Sequence, residues 1–118
     1  MTENTHSEVI RVTSEDLANG NDDRFDRFRL IGWWDQEQLS QAKVLVVGAG
    51  ALGNEILKNL AMLGIGNVLI ADLDRIENSN LSRSILYREE NNGEQKAKVA
   101  AEATRQIYPQ MSTHYFDG

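Results

Sequence analysis

Directly after the apolar stretch Val44-Leu45-Val46-Val47, the run Gly48-Ala49-Gly50-Ala51-Leu52-Gly53 fits G-x-G-x-x-G. Glycines at this spacing do what no side chain does. Gly48 permits a tight turn, Gly50 lets a phosphate approach the backbone, and Gly53 allows a helix to pack close on a strand. A helix opening at this turn, with Ala51 in its first residues, presents unpaired N–H groups to an anion. Asp72 follows 19 residues after Gly53, at the end of a second apolar stretch, where a carboxylate accepts hydrogen bonds from ribose hydroxyls. Glycines alone make a tight turn; with strand, helix and Asp72 in register they predict an adenine nucleotide. No G-x-x-x-x-G-K-[ST] is present, so a P-loop NTPase is unsupported.

The turn by itself fits a dinucleotide and ATP equally, and the segment after Asp72 separates them. Asp72-Leu73-Asp74-Arg75-Ile76-Glu77-Asn78-Ser79-Asn80-Leu81-Ser82-Arg83 brings acids, amides and arginines just past the ribose-binding aspartate, and Lys96 follows at the start of the next helix. Hydride transfer gains little from such cations. Nucleotidyl transfer needs them, because the polyphosphate charge must be held during in-line attack at phosphorus.

The elements that must position these residues are legible from periodicity. Val44–Val47 and Val68–Ala71 read as parallel strands buried on both faces. Between them Ile56, Leu57, Leu60, Ala61 and Leu63 mark a helix ended by Gly64-Ile65-Gly66. Residues 94–107, with Ala97, Ala100, Ala101, Thr104 and Ile107 on one face before Pro109, predict a second helix, and Met111–Phe116 a third strand. The fold class is therefore α/β: a Rossmann-like parallel sheet, N-terminal half only, of about three strands and two main helices. Leu73–Gly93 separates strand from helix by 21 residues, far beyond the usual connection of about two to six, and long connections of this kind are usually functional.

Upstream, Phe25, Phe28, Ile31, Trp33, Trp34 and Leu39 predict two short helices broken at Gly32 and packed on the main body, with the Trp pair in core or dimer packing. Residues 1–26 hold seven acids and two arginines, and residues 1–22 read as a flexible acidic arm ahead of a domain spanning 23–118. In total, 12 Lys and Arg face 18 Asp and Glu for a net charge of −6, which excludes a nucleic-acid footprint. With no cysteine there is no disulfide scaffold, thiolate zinc site or cysteine nucleophile. No apolar run approaches a membrane span and the polar start has no signal-peptide core, so a soluble cytoplasmic protein is expected. His6 and His114 have no companion ligands in sequence and are assigned no role.

In order and spacing, the glycine turn, Leu63-Gly64-Ile65-Gly66, Asp72-Leu73-Asp74, Ser79-Asn80-Leu81 with Arg83, and Gly93-x-x-Lys96 resemble the ThiF/MoeB/HesA family. These are adenylating enzymes that activate ubiquitin-like proteins and sulfur carriers, related to the eukaryotic ubiquitin-activating enzymes. The resemblance covers residues 24–109. It implies an ATP site in which Asp72 holds the ribose, Asp74 lies near the nucleoside, and Asn80, Arg83 and Lys96 contact the phosphates.

It also implies a homodimer in which an arginine near the N-terminus reaches the neighbour's ATP. Arg24-Phe25-Asp26-Arg27 makes Arg27 the candidate, the local alternative being an ion pair of Arg27 with Asp23. Phe28 and Ser84 stand where glutamine follows the two family arginines, and Ala51 where a third glycine is commoner. The Mg2+-coordinating aspartate, any structural cysteine pairs and any thioester cysteine would lie beyond Gly118, leaving this stretch incomplete for catalysis. The implied activity is ATP-dependent adenylation of the C-terminal carboxylate of a ubiquitin-like or sulfur-carrier protein, with release of pyrophosphate. The glycines and Asp72 alone also fit an NAD-dependent oxidoreductase, which the cationic segment disfavours, and a third reading is a non-catalytic scaffold subunit that binds a ubiquitin-like protein.

Overall fold

A computed structural model describes Arg11, residues 13–15 and residues 23–118. The rest of the expected acidic arm, within 1–22, lies outside the described residues. The chain divides into two compact units, one ending at Gln38 and one spanning Leu39–Gly118.

In the first unit, the helical periodicity after Arg24 resolves into a 3-10 turn, Asp26–Leu30, and the start of a short helix α1, Gln36–Gln41. The Asp35 carboxylate accepts the Gln38 N–H at 3.1 Å, which satisfies one free donor at the start of α1. Phe28 and Trp34 pack with ring centroids 4.5 Å apart, and the Trp34 indole N–H donates to Gln36 Oε1 at 2.8 Å. Of the core or dimer packing expected for the Trp pair, Trp33 does not take the core role. It is 57% exposed and touches Trp34 only at a ring separation of 6.0 Å.

The second unit runs β1 (Lys43–Val47), α2 (Ala51–Leu63), β2 (Asn67–Ala71), α3 (Lys96–Ile107) and β3 (Ser112–Phe116). Both strand pairs are parallel in the order β1-β2-β3, with Val46 opposite Ile70 and Ile70 opposite Tyr115. Side chains alternate across a strand, so Val46, Val68 and Ile70 turn inward toward Leu57 and Ala61 of α2 and the small buried residues Ala97, Ala100 and Ala101 of α3. Full burial of a side chain such as Leu57 or Ile70 stabilises by about 2 kcal/mol. Alanines on α3 let that helix approach the sheet closely, and Thr104 satisfies its buried hydroxyl on Ala100 O at 2.6 Å. At the end of α2, Gly64 adopts a left-handed φ of 83° while the Ile65 N–H returns to Leu60 O, closing the helix as expected.

The strands are not buried on both faces, contrary to the expectation from their apolar runs. Leu45, Val47, Leu69 and Phe116, on the face opposite the core, are 60%, 77%, 41% and 56% exposed. The two main helices pack on the same face of a sheet whose strands follow sequence order, and a β-branched run cannot report which face they cover. On α2 Leu57 and Ala61 of the predicted face are buried together with Gly53 and Asn54, whereas Ile56 is 40% exposed. The second helix also begins at Lys96 rather than residue 94, because the residues just before it are taken up by the crossover.

Candidate nucleotide site

The turn between β1 and α2 has the backbone its glycines demand. Gly48 has φ +97°, a conformation L side chains rarely adopt. At Gly53 a Cβ would lie 2.0 Å from Gly48 O, so only glycine lets the first turn of α2 sit against the end of β1. A Cβ at Gly50, by contrast, would meet no atom within 4 Å; the space before this residue is open to a ligand. The first bond within α2 is Asn54 N–H to Gly50 O at 2.9 Å, and no side chain caps the helix at Gly50. The amides of Gly50, Ala51, Leu52 and Gly53 therefore have no partner inside the helix and carry its positive dipole end, an arrangement suited to phosphate.

Asp72, just past the end of β2, accepts the Ala49 N–H at 2.7 Å through one carboxylate oxygen and the Asp74 N–H at 2.8 Å through the other. It thus braces the glycine turn against the end of the neighbouring strand. Each oxygen keeps a further lone pair for another donor.

The long connection is not an open loop. It folds back on itself: Ile76 N–H donates to Glu94 O at 2.8 Å, Gly93 N–H to Ile76 O at 2.8 Å, and Lys96 N–H to Asp74 O at 2.9 Å. Arg75 pairs antiparallel with Gln95 and its guanidinium donates to Gly93 O at 2.9 Å. The segment leaves and returns at one place because Ile76, 1% exposed, plugs into the core there, and Leu86 and Tyr87 are buried farther along. This closure sets Lys96, the first residue of α3, beside Asp72-Leu73-Asp74 although 22 positions separate Asp74 from Lys96.

Between the ends, Asn78–Asn80 forms a 3-10 turn in which Asn80 Oδ1 accepts the Glu77 N–H at 2.8 Å. Arg83 follows on the same turn, its N–H on Asn80 O at 3.2 Å. Its exposed side chain lines a shallow polar cleft with Glu55, Ser82, Ser84, Tyr87 and Arg88. Ser84, where the resemblance places a glutamine, is 4% exposed. Arg27 belongs to the other unit, where its guanidinium pairs with Asp26 at 3.3 Å rather than with Asp23, whose carboxylate accepts the Phe25 N–H at 2.8 Å.

Two residues of this site carried no motif signal. Asn54, fully buried, donates from its side-chain amide to Ala49 O and Gly50 O, both at 2.9 Å, and accepts the Leu86 N–H at 2.9 Å. Tyr87 places its hydroxyl on Ala49 O at 2.5 Å and at 3.4 Å from Lys96 O. Burial pushes the Tyr87 phenol up to about 12, with Asp72 adding to the shift and Asn54 opposing it. The hydroxyl consequently remains a donor across the neutral range. The only sequence hint was an asparagine inside an otherwise apolar helix face, a residue that competes with helix hydrogen bonding and needs a reason to be there.

Residues 23–118 match the ThiF family. Among relatives, a ubiquitin-activating enzyme E1 1 of Arabidopsis thaliana is 44% identical over 107 residues, covering 86% of this chain and 10% of that protein. The sulfur carrier protein adenylyltransferase of Thermus thermophilus is 41% identical over 103 residues, covering 85% and 36%. The chain thus spans from a tenth to about a third of the length of these relatives. Among solved structures, E. coli MccB with ATP superposes with a TM-score of 0.75 at 30% identity, over 83% of this chain and 32% of that one. E. coli tRNA N6-threonylcarbamoyladenosine dehydratase, TcdA, gives 0.73 at 35%, over 80% and 40%. Since the match runs through the glycine turn, Asp72, the closed crossover and Lys96 alike, this chain belongs to the ThiF family.

Proposed function

We propose that this chain supplies the nucleotide-binding part of an adenylation domain that uses ATP to activate the C-terminal carboxylate of a ubiquitin-like or sulfur-carrier protein. The observation that carries this reading is the closure of the crossover, Lys96 N–H on Asp74 O at 2.9 Å. It sets a lysine at a helix N-terminus next to the ribose-side carboxylates and close to the glycine turn. A hydride-transfer site has no use for that cation. The open space before Gly50 and the unpartnered amides of α2 fit a polyphosphate. Relatives named as ubiquitin-activating and sulfur-carrier adenylyltransferases support the substrate class.

In this reading the nucleophile belongs to the substrate: its carboxylate oxygen bonds to the α-phosphorus, and the bond to pyrophosphate breaks. The chain's own residues position and neutralise. The α2 amides and Lys96 hold phosphate oxygens, Arg83 and the Asn80 amide donors stabilise charge on the leaving group, and Asp72 orients the ribose. Mg2+ accompanies ATP in this proposal, its aspartate ligand being expected beyond residue 118. The proposal extends to a cytoplasmic homodimer in which Arg27 serves the partner copy's nucleotide. None of the described helices is long and apolar enough to cross a membrane.

The test is ATP–pyrophosphate exchange by the full-length protein with its carrier substrate, alongside calorimetric titration of Mg·ATP and of NAD. Exchange, ATP binding and a loss of about 100-fold or more in Arg83→Ala are expected. Binding of NAD without ATP, or unchanged exchange in Arg83→Ala, overturns the assignment.

A further inference from the structure

Asn54 sits in the first turns of α2, where its side chain reaches a segment 32 residues away. Its amide donors hold Ala49 O and Gly50 O, and its carbonyl oxygen holds the Leu86 N–H. Peptide planarity gives those contacts a direction: fixing a carbonyl fixes the N–H of the next residue on the opposite side of the same plane. With Ala49 O and Gly50 O drawn inward, the amides of Gly50 and Ala51 are aimed outward, into the open space before the turn.

At the other end, Leu86 lies three residues beyond Arg83. The turn that includes it is closed by Tyr87 N–H on Ser84 O at 3.2 Å and bolted a second time by the Tyr87 hydroxyl on Ala49 O. Ala49, itself fully buried, thus receives two side-chain donors and gives its N–H to Asp72. A purely structural filler at position 54 would be apolar, since a buried amide costs stability unless every polar group is paired. Here each polar atom of the side chain is paired, and each partner belongs to the turn or to the arginine-bearing segment.

Resting on the adenylation reading, we infer that Asn54 is a positioning residue, which joins the phosphate-receiving turn to the Arg83 segment so that both meet the nucleotide as one rigid piece. Displacement of either by about 1 Å costs about 100-fold in rate, so separating them disables Arg83 without touching its side chain.

A double-mutant cycle in the full-length protein tests this, with Asn54→Ser and Arg83→Ala read by pyrophosphate exchange per mole of active site. Each single variant is expected to lose about tenfold or more in kcat, and the double variant about as much as the worse single one. Losses that simply multiply overturn the inference. Tyr87→Phe, which keeps the ring packed, is expected to lose less than Asn54→Ser and to couple to Arg83→Ala in the same sense; independence there also counts against the coupling.

Hydrogen exchange without nucleotide provides the second readout. In Asn54→Ser the hydrogen-bonded amides of Ala49 in the turn and of Leu86 and Tyr87 in the Arg83 segment should lose protection together while β2 keeps its own. Uniform loss across the chain would mean a stability effect alone and overturns the inference. If the unmodified protein shows no pyrophosphate exchange, the adenylation reading fails, and the pattern of amide exchange still decides whether Asn54 couples the two segments.

Discussion

At the scale of single residues, the candidate site divides into side chains proposed to meet the nucleotide and side chains that brace the backbone; Asp72 braces the backbone and is proposed to meet the ribose as well. Its two oxygens receive the Ala49 and Asp74 amides at 2.7 and 2.8 Å. Asp72→Asn would turn one acceptor into a donor pointed at an N–H. The expected result is a stability loss of about 2 kcal/mol together with weakened ATP binding, read by urea unfolding and calorimetry. Lys96→Ala should behave differently. The Lys96 backbone N–H on Asp74 O is untouched by the change, so the melting temperature should hold while pyrophosphate exchange falls by about 100-fold. The motif residues were readable because glycine, aspartate and lysine at set spacings have few alternative uses. Asn54 and Tyr87 were not, because their partners lie in segments remote along the chain.

At the scale of elements, the strand, glycine turn and helix stand as periodicity and turn chemistry predicted. Gly53 holds the junction together: its missing Cβ is what lets α2 approach Gly48 O. Gly53→Ala must push the helix off the strand end. A loss of about 1–3 kcal/mol in chemical denaturation is expected, with loss of nucleotide binding. The crossover was legible only as an anomaly of length. Its closure depends on backbone pairing of Asp74–Ile76 with Gly93–Lys96, and no residue type marks such pairing in a segment that mixes charges, amides and isolated apolar positions. The aromatic pair near the N-terminus was half legible: Trp34 packs on Phe28, while Trp33 is exposed.

At the scale of the whole molecule, burial of Tyr87 links the site to global stability. Its pKa rises from 10.0 to about 12 on folding. The folded state therefore keeps a proton that the unfolded state releases, so Tyr87 contributes no pH dependence below pH 10 and stability falls as pH rises from 10 through about 12. Urea titrations across that alkaline range should show the decline, and Tyr87→Phe should flatten it. The apolar face of the sheet is also a whole-molecule property. Leu45, Val47, Leu69 and Phe116 line it in exposed positions, whereas their sequence runs are indistinguishable from strands covered on both sides.

What could be read from the residue order alone was local: β-branched runs make strands, a period near 3.6 makes helices, and glycine spacing makes a turn whose amides await an anion. These follow from interactions within a few residues, so sequence carries them in full. What only the tertiary structure decided was long-range: that Asp72 braces Ala49 across 23 residues, Asn54 holds Leu86 across 32, Tyr87 reaches Ala49 across 38, and one face of the sheet is bare. Such contacts form only after the chain has folded back on itself, and the geometry that selects them belongs to the packed core rather than to any one segment.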